Sequence, residues 1–157
     1  MNKTEKRKKI LLVDDHPLMR RGQADLLSRE ADLSVCGEAG TACEAMEAIA
    51  KLQPDLVLVD MTLPDKNGLE LIKDIQALHP GLPVLAMSMQ DESLYAARVL
   101  RAGGRGYVMK QEGPERLAAA IRIVLSGQVA LSPRMSAKVL ESMVGPAGEA
   151  GGGPEEK

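Results

Sequence analysis

Short unbroken apolar runs alternate along this chain with longer stretches of spaced apolar residues. Leu56-Val57-Leu58-Val59 is the plainest run. A run so short, rich in Val and Leu and flanked by turn signals, predicts a strand buried on both faces. Ile10-Leu11-Leu12-Val13 is a second, and Leu33–Glu38, Pro83–Met87 and Gly106–Met109 read as three more strands.

The stretches between them read as helices. Pro17 fits a first helical turn, where its missing N–H costs nothing, and Leu18, Met19, Leu26 and Leu27 carry the pattern to about Arg29. Thr41 with Glu44 three residues on has the form of a capping box, followed by Ala45, Met46, Ile49 and Leu52 at helical spacing up to Pro54. Leu69 to Leu78 forms a third helix. Asp91 is placed to cap a fourth, carrying Leu94, Ala97, Val99 and Leu100 and stopped by Gly103-Gly104. A fifth runs from Pro114 to Leu125 and ends at Gly127.

Five strand–helix pairs at regular spacing predict an α/β fold, a parallel sheet with helices on both faces. Right-handed crossovers leave few topologies. The natural choice is the flavodoxin-like doubly wound order 2-1-3-4-5, with its switch point between strands one and three. Ser132-Pro133 starts an extra helix patterned by Met135, Val139, Leu140, Met143 and Val144, and the Gly, Pro, Ala and Glu from Gly145 onward have no apolar period. The expected organisation is a basic arm over 1–8, one domain over 9–126, an extra helix and the start of a linker over 127–144, and a disordered tail over 145–157.

Composition narrows this picture. Tyr95 and Tyr107 are the only aromatics, so the core must be aliphatic. A net charge of −2 leaves no general nucleic-acid footprint. Lys3, Lys6, Arg7, Lys8 and Lys9 make a basic arm that reads as a solvated terminus. Cys36 and Cys43 form no C-x-x-C pair and read as ordinary residues of a reducing cytosol. The charged N-terminus resembles no signal peptide, and no apolar run approaches the ~20 residues of a membrane span. A soluble, cytoplasmic protein with no membrane partner is expected.

The chemistry lies at the strand ends. Four runs end in polar groups: Asp14-Asp15, Asp60, Ser88 and Lys110. A parallel sheet brings all of them to one rim, the edge where open α/β sheets place their sites. Alone, a strand-end Asp reads as a cap, Lys110 as a solvated lysine, Ser88 as a turn former and His16 as the helix-start residue before Pro17. Together they say more. Three converging carboxylates need a cation, and oxygen ligands favour a hard one, Mg²⁺. Lys110 suits a phosphate, and the Ser88 hydroxyl can donate to a phosphoryl oxygen. A carboxylate nucleophile so surrounded is a phosphoryl acceptor, with Asp60 attacking to form an aspartyl-phosphate.

These residues closely resemble the receiver domain of two-component response regulators. The resemblance rests on Asp14-Asp15, Asp60 followed by Met61-Thr62-Leu63-Pro64 and Asn67-Gly68, Ser88, and Gly106-Tyr107-Val108-Met109-Lys110, and it covers residues 8 to about 126. It implies phosphoryl transfer to Asp60 from the phosphohistidine of a sensor histidine kinase. It implies Mg²⁺ held by Asp15, Asp60, the Thr62 backbone carbonyl and a water held by Asp14. Lys110 and Ser88 would contact the phosphoryl group, and Ser88 would be drawn toward it. That movement would leave room for Tyr107, at the aromatic switch position, to turn inward. Thr62 and Gln90 match positions that tune dephosphorylation. Met89 stands where the family usually has a smaller residue.

Asp15-His16-Pro17, Gly106-Tyr107 and the stretch from Gly127 to Pro133 look more like the LuxR-type (NarL/FixJ) subfamily. Its members normally carry a C-terminal helix-turn-helix. The resemblance therefore implies a homodimer on phosphorylation and DNA contact only through that output domain, which this sequence stops short of. Residues 127–144 offer only Arg134 and Lys138 as basic groups near one helix, so the chain alone is not expected to read DNA. A stand-alone receiver acting through protein contacts is the main alternative. A turnover enzyme is not expected: a haloacid-dehalogenase-type phosphohydrolase wants its nucleophile on the first strand with a second Asp two residues on, whereas Asp60 is on the third and Thr62 follows it.

Overall fold

The sheet has five parallel strands in the order β2-β1-β3-β4-β5. They are β1 (Lys8–Val13), β2 (Leu33–Ala39), β3 (Leu56–Asp60), β4 (Val84–Ser88) and β5 (Gly106–Met109). The computed structural model describes residues 7–90 and 92–144. Lys3, Lys6, the capping role of Asp91 and the tail from Gly145 onward lie outside the described residues.

The pleat divides the strand side chains between two cores. Leu11, Val13, Val57, Val59, Val84, Ala86 and Tyr107 face α2 (Ala42–Leu52), α3 (Gly68–Leu78) and α4 (Glu92–Ala102). Ile10, Leu12, Leu56, Leu58, Leu85, Met87 and Val108 face α1 (Pro17–Ser28) and α5 (Pro114–Leu125). Because both faces are covered, the strands other than β2 read as continuous apolar runs; β2, at the edge, is half-buried through its middle. Each buried Val, Leu or Ile contributes about 1.5–3 kcal/mol of apolar burial.

Helix ends agree with the local sequence. The Thr41 hydroxyl accepts from the Glu44 N–H at 3.0 Å, and the Glu44 carboxylate takes the Gly40 N–H. Asn67 caps α3 through the Glu70 N–H at 2.9 Å. Gly68 can hold no side chain, because a Cβ would lie 2.7 Å from the Met61 Cα.

The apolar pattern of α1 located the helix but not its buried face. Leu18 is 88% exposed, and Met19 and Leu26 are exposed too. Of the four patterned residues the helix buries only Leu27, and with it Gln23.

Residues 127–144 fold back on the domain. Ala130 pairs with Gly106 along the outer edge of β5: Tyr107 N–H donates to Ala130 O at 2.9 Å, and Ala130 N–H to Arg105 O at 3.0 Å. Gly106 permits this approach, since a Cβ there would lie 2.7 Å from Ala130 O. α6 (Pro133–Val144) follows. Its N-terminus is capped by Ser132, whose hydroxyl accepts from Met135 N–H, while Ser132 N–H donates to the Glu92 carboxylate at 2.9 Å. Met135 is buried in the α4-side core. No helix among the described residues is long and apolar enough to cross a membrane.

Candidate functional site

The C-terminal rim of the sheet brings the strand-end groups together. Pairing of β1 with β3 ends at Val13 opposite Val59, so Asp14 and Asp60 stand side by side. Asp60 pairs with Met87 on β4, and Ser88 with Met109 on β5. Lys110 is therefore two strands from Asp60. Its long stem crosses β4, placing Nζ 3.0 Å from Asp60 Oδ2 and 3.5 Å from Asp14 Oδ2, with the side chain only 5% exposed.

Asp14, Asp60 and Ser88 are buried. Burial pushes the Asp60 carboxyl above the ordinary range, against the pull of the Thr62 N–H and of Lys110. The Thr62 N–H donates to Asp60 Oδ1 at 3.1 Å, which folds the β3–α3 loop back over the carboxylate. Arg20 of α1 fixes the β1–α1 loop, donating to the Asp14 backbone carbonyl and pairing with Glu38 at 2.9 Å.

His16 does more than its sequence position signals. It is the N-cap residue of α1, and its Nδ1 also lies 3.0 Å from both Asp14 Oδ1 and Asp15 Oδ1. The hydrogen bond with Asp14 and the charge of Asp15 raise its pKa.

The donor set fits a divalent cation. Ligand atoms of Asp14, Asp15, His16 and Asp60 all lie within 4.8 Å of one another. Asp14 Oδ2 and Asp15 Oδ1 are buried and accept no hydrogen bond. Apart from the ion contacts of Asp14 Oδ2 with Lys110 and of Asp15 Oδ1 with His16, these hard oxygen ligands have lone pairs free for a cation.

The Ser88 hydroxyl accepts from the Gln90 N–H at 3.0 Å. Tyr107 is buried and donates its hydroxyl to the Gln90 carbonyl at 2.9 Å. The inward turn expected of this ring is thus already its position here, because the Gln90 carbonyl gives its hydroxyl a partner beneath the loop. Thr62 and Gln90 are exposed and, with Ser88, Tyr95 and Arg98, line a cavity of about 320 Å³ beside the acceptor. Met89 is 61% exposed, so its bulk points away from the core.

The profile of the response regulator receiver domain matches residues 10–122. The chain belongs to that family. It is 38% identical over 141 residues to the DNA-binding transcriptional activator DevR/DosR of Mycobacterium tuberculosis, covering 88% of this chain and 64% of that protein. The receiver described here thus spans less than two thirds of the length of the curated relatives it matches first. A two-component response regulator of the LuxR family from Aurantimonas sp. superposes with a TM-score of 0.80 at 34% identity, over 88% of this chain and 99% of that one. RcsB, solved as two dimers bound to two parallel DNAs, superposes at 0.76 with 26% identity, over 86% of this chain and 68% of the RcsB chain. The chain is a receiver domain of two-component response regulators of NarL/LuxR type, and its sheet order is that of the receiver fold.

Proposed function

We propose that Asp60 accepts a phosphoryl group and that the resulting aspartyl-phosphate switches this receiver. One observation carries the reading: Asp60 Oδ2 lies 3.0 Å from a nearly buried lysine ammonium and beside the buried Asp14, on a strand-end rim. The donor is the phosphohistidine of a sensor histidine kinase. An Asp60 carboxylate oxygen attacks phosphorus, the O–P bond forms, and the P–N bond breaks with its electron pair leaving on the imidazole. Lys110 offsets charge on the phosphoryl oxygens, and the Ser88 hydroxyl turns from the Gln90 N–H to donate to one of them. Asp14, Asp15, Asp60 and the Thr62 carbonyl are the groups that would hold Mg²⁺, whose chemistry here is neutralisation of phosphoryl charge.

The chain assists its own phosphorylation and dephosphorylation and is not a turnover enzyme. It works in the cytoplasm, pairs as a homodimer when phosphorylated, and passes its signal to transcription through a DNA-binding domain of the whole protein. The DNA-bound RcsB dimers and the activator DevR/DosR support that output.

The test is incubation with acetyl phosphate and Mg²⁺ followed by intact mass. One phosphoryl group is expected on the parent and none on Asp60→Asn. Labelling that survives in the Asn variant, or steady turnover of phosphate monoesters, rules the reading out.

A further inference from the structure

The β3–α3 loop, residues 61–67, carries the Thr62 carbonyl. Most of its ties are local: Thr62 N–H to Asp60, Gly68 N–H to Met61 O at 3.1 Å, Lys66 to Asp74 at 2.6 Å, and Asn67 to Glu70. Asp65 is different. Its Oδ1 accepts from the Ala42 N–H at 2.8 Å and its Oδ2 from the Cys43 N–H at 3.1 Å, both in the first turn of α2. These backbone donors, Ala42 foremost, hold the Asp65 carboxyl below the ordinary range. With the Thr41 hydroxyl on Glu44 N–H, the first three N–H groups of α2 are all satisfied.

The sheet order gives this contact its meaning. β1 lies between β2 and β3, so a carboxylate from the loop after β3 that binds the helix after β2 spans the end of β1. Asp14, Asp15 and His16 emerge there. The clamp ties the Thr62 loop to a rigid helix end across the loop that carries Asp14 and Asp15.

We infer that Asp65 is a positioning residue for the cation site: by clamping the β3–α3 loop to the N-terminus of α2, it holds the Thr62 carbonyl in register with Asp15 and Asp60. This rests on the proposed function above. Groups that orient ligands from one shell out matter to metal affinity because the ligand is otherwise free to swing away.

The structure offers a test from either side of the clamp. Asp65→Ala removes the acceptor. Ala42→Pro removes one donor and keeps the helix: position 42 opens α2, where proline is favoured, and Thr41 before it is already extended at φ −139°, ψ 163°. Mg²⁺ is titrated by calorimetry and by the Thr62 amide resonance, and phosphorylation by acetyl phosphate is measured at saturating Mg²⁺.

Asp65→Ala, which cuts both bonds, should raise the Mg²⁺ dissociation constant about tenfold. Ala42→Pro, which leaves the Cys43 N–H on Asp65, should raise it by less. Both should leave the saturating rate within about twofold, and the double variant should lose no more than Asp65→Ala alone. Asp65→Asn, which keeps one acceptor oxygen, should fall between the parent and Asp65→Ala. If Asp65→Ala does not fold, Ala42→Pro carries the test alone. Unchanged Mg²⁺ affinity with a lowered unfolding midpoint would make the clamp structural only and overturn the inference, as would losses that add. If the parent chain neither binds Mg²⁺ nor takes a phosphoryl group, the reading of the site falls and this inference with it. Failure in the variants alone defeats only the role of Asp65.

Discussion

Tyr107 and Gln90 are joined by one hydrogen bond, from the buried phenol to the backbone carbonyl at 2.9 Å. Gln90 also gives its N–H to the Ser88 hydroxyl. One residue of the β4–α4 loop thus receives from the aromatic ring and donates to the hydroxyl expected to meet the phosphoryl group. When Ser88 turns to that group, Gln90 N–H loses its acceptor while Tyr107 keeps its own. Beryllofluoride, as a phosphoryl mimic, should therefore speed exchange of the Gln90 amide and leave the Tyr107 ring resonance in place. A large shift of that ring with an unchanged Gln90 amide would refute this order of events. Tyr107→Phe should cost about 1 kcal/mol in a urea melt.

Asp60 is ionised at a cost. Its carboxyl is held above the ordinary range chiefly by burial, so folded-state stability falls as pH rises from the unfolded pKa through the raised folded one. Asp60→Asn removes that loss and relieves repulsion with Asp14. The variant should melt higher than the parent in metal-free buffer at neutral pH, by about 1 kcal/mol or roughly 3 °C. Equal midpoints in the two proteins would count against the charge balance described here.

Lys110→Ala should act in the opposite sense. It strips the ammonium nearest Asp60 and leaves buried carboxylates facing one another. Phosphorylation from acetyl phosphate should slow about a hundredfold, as for loss of one preorganised charge contact. A rate within about threefold of the parent would place the needed positive charge elsewhere.

Thr62 and Gln90 border the same cavity as Ser88, open to water beside the acceptor. Substituting both should change the dephosphorylation rate by more than about twofold, a barrier change above ~0.5 kcal/mol. Loss of label followed by intact mass measures it.

Arg122 pairs with Asp32 at 2.9 Å and also with Glu30, tying α5 to the turn before β2. The Arg122 hydrogen bond lowers the Asp32 pKa. Its stabilisation is therefore full above the unfolded carboxylate pKa of about 3.9 and is lost as pH falls through the lowered folded value. Both groups are substantially exposed, so the pair is worth no more than about 1 kcal/mol. Arg122→Ala should lose that much at pH 7 and progressively less as pH falls below the unfolded carboxylate pKa of about 3.9, by urea melts at each pH.

Strands β1, β3, β4 and β5 were legible because burial on both faces gives unbroken apolar runs, and the rim because each of those runs stops at a polar group; β2, an edge strand half-buried through its middle, carries no such run. Ser88 and Lys110 could be placed beside Asp60 from strand order alone. Three features left no such signal. Leu18, Met19 and Leu26 have helical spacing but face solvent, since periodicity finds a helix without saying which side is covered. His16 looks like any residue before a helix-start proline, and only the loop's curvature brings its ring among the carboxylates. Asp65 binds backbone N–H groups, which every residue but proline possesses, so no residue type at 42 or 43 announces the pairing.

The seating of Ala130 against Gly106 bears on how two copies can meet. A parallel sheet normally ends in a strand whose outward donors and acceptors are bare, inviting a neighbour to extend it. Here the Tyr107 N–H and the Arg105 carbonyl are already spoken for on that side. A newcomer seeking to lengthen the sheet past β5 would first have to evict Ala130 and disturb the ordered start of α6. On the β5 side, at least, the backbone offers no free edge to a second copy, and only the β2 side keeps an outer strand.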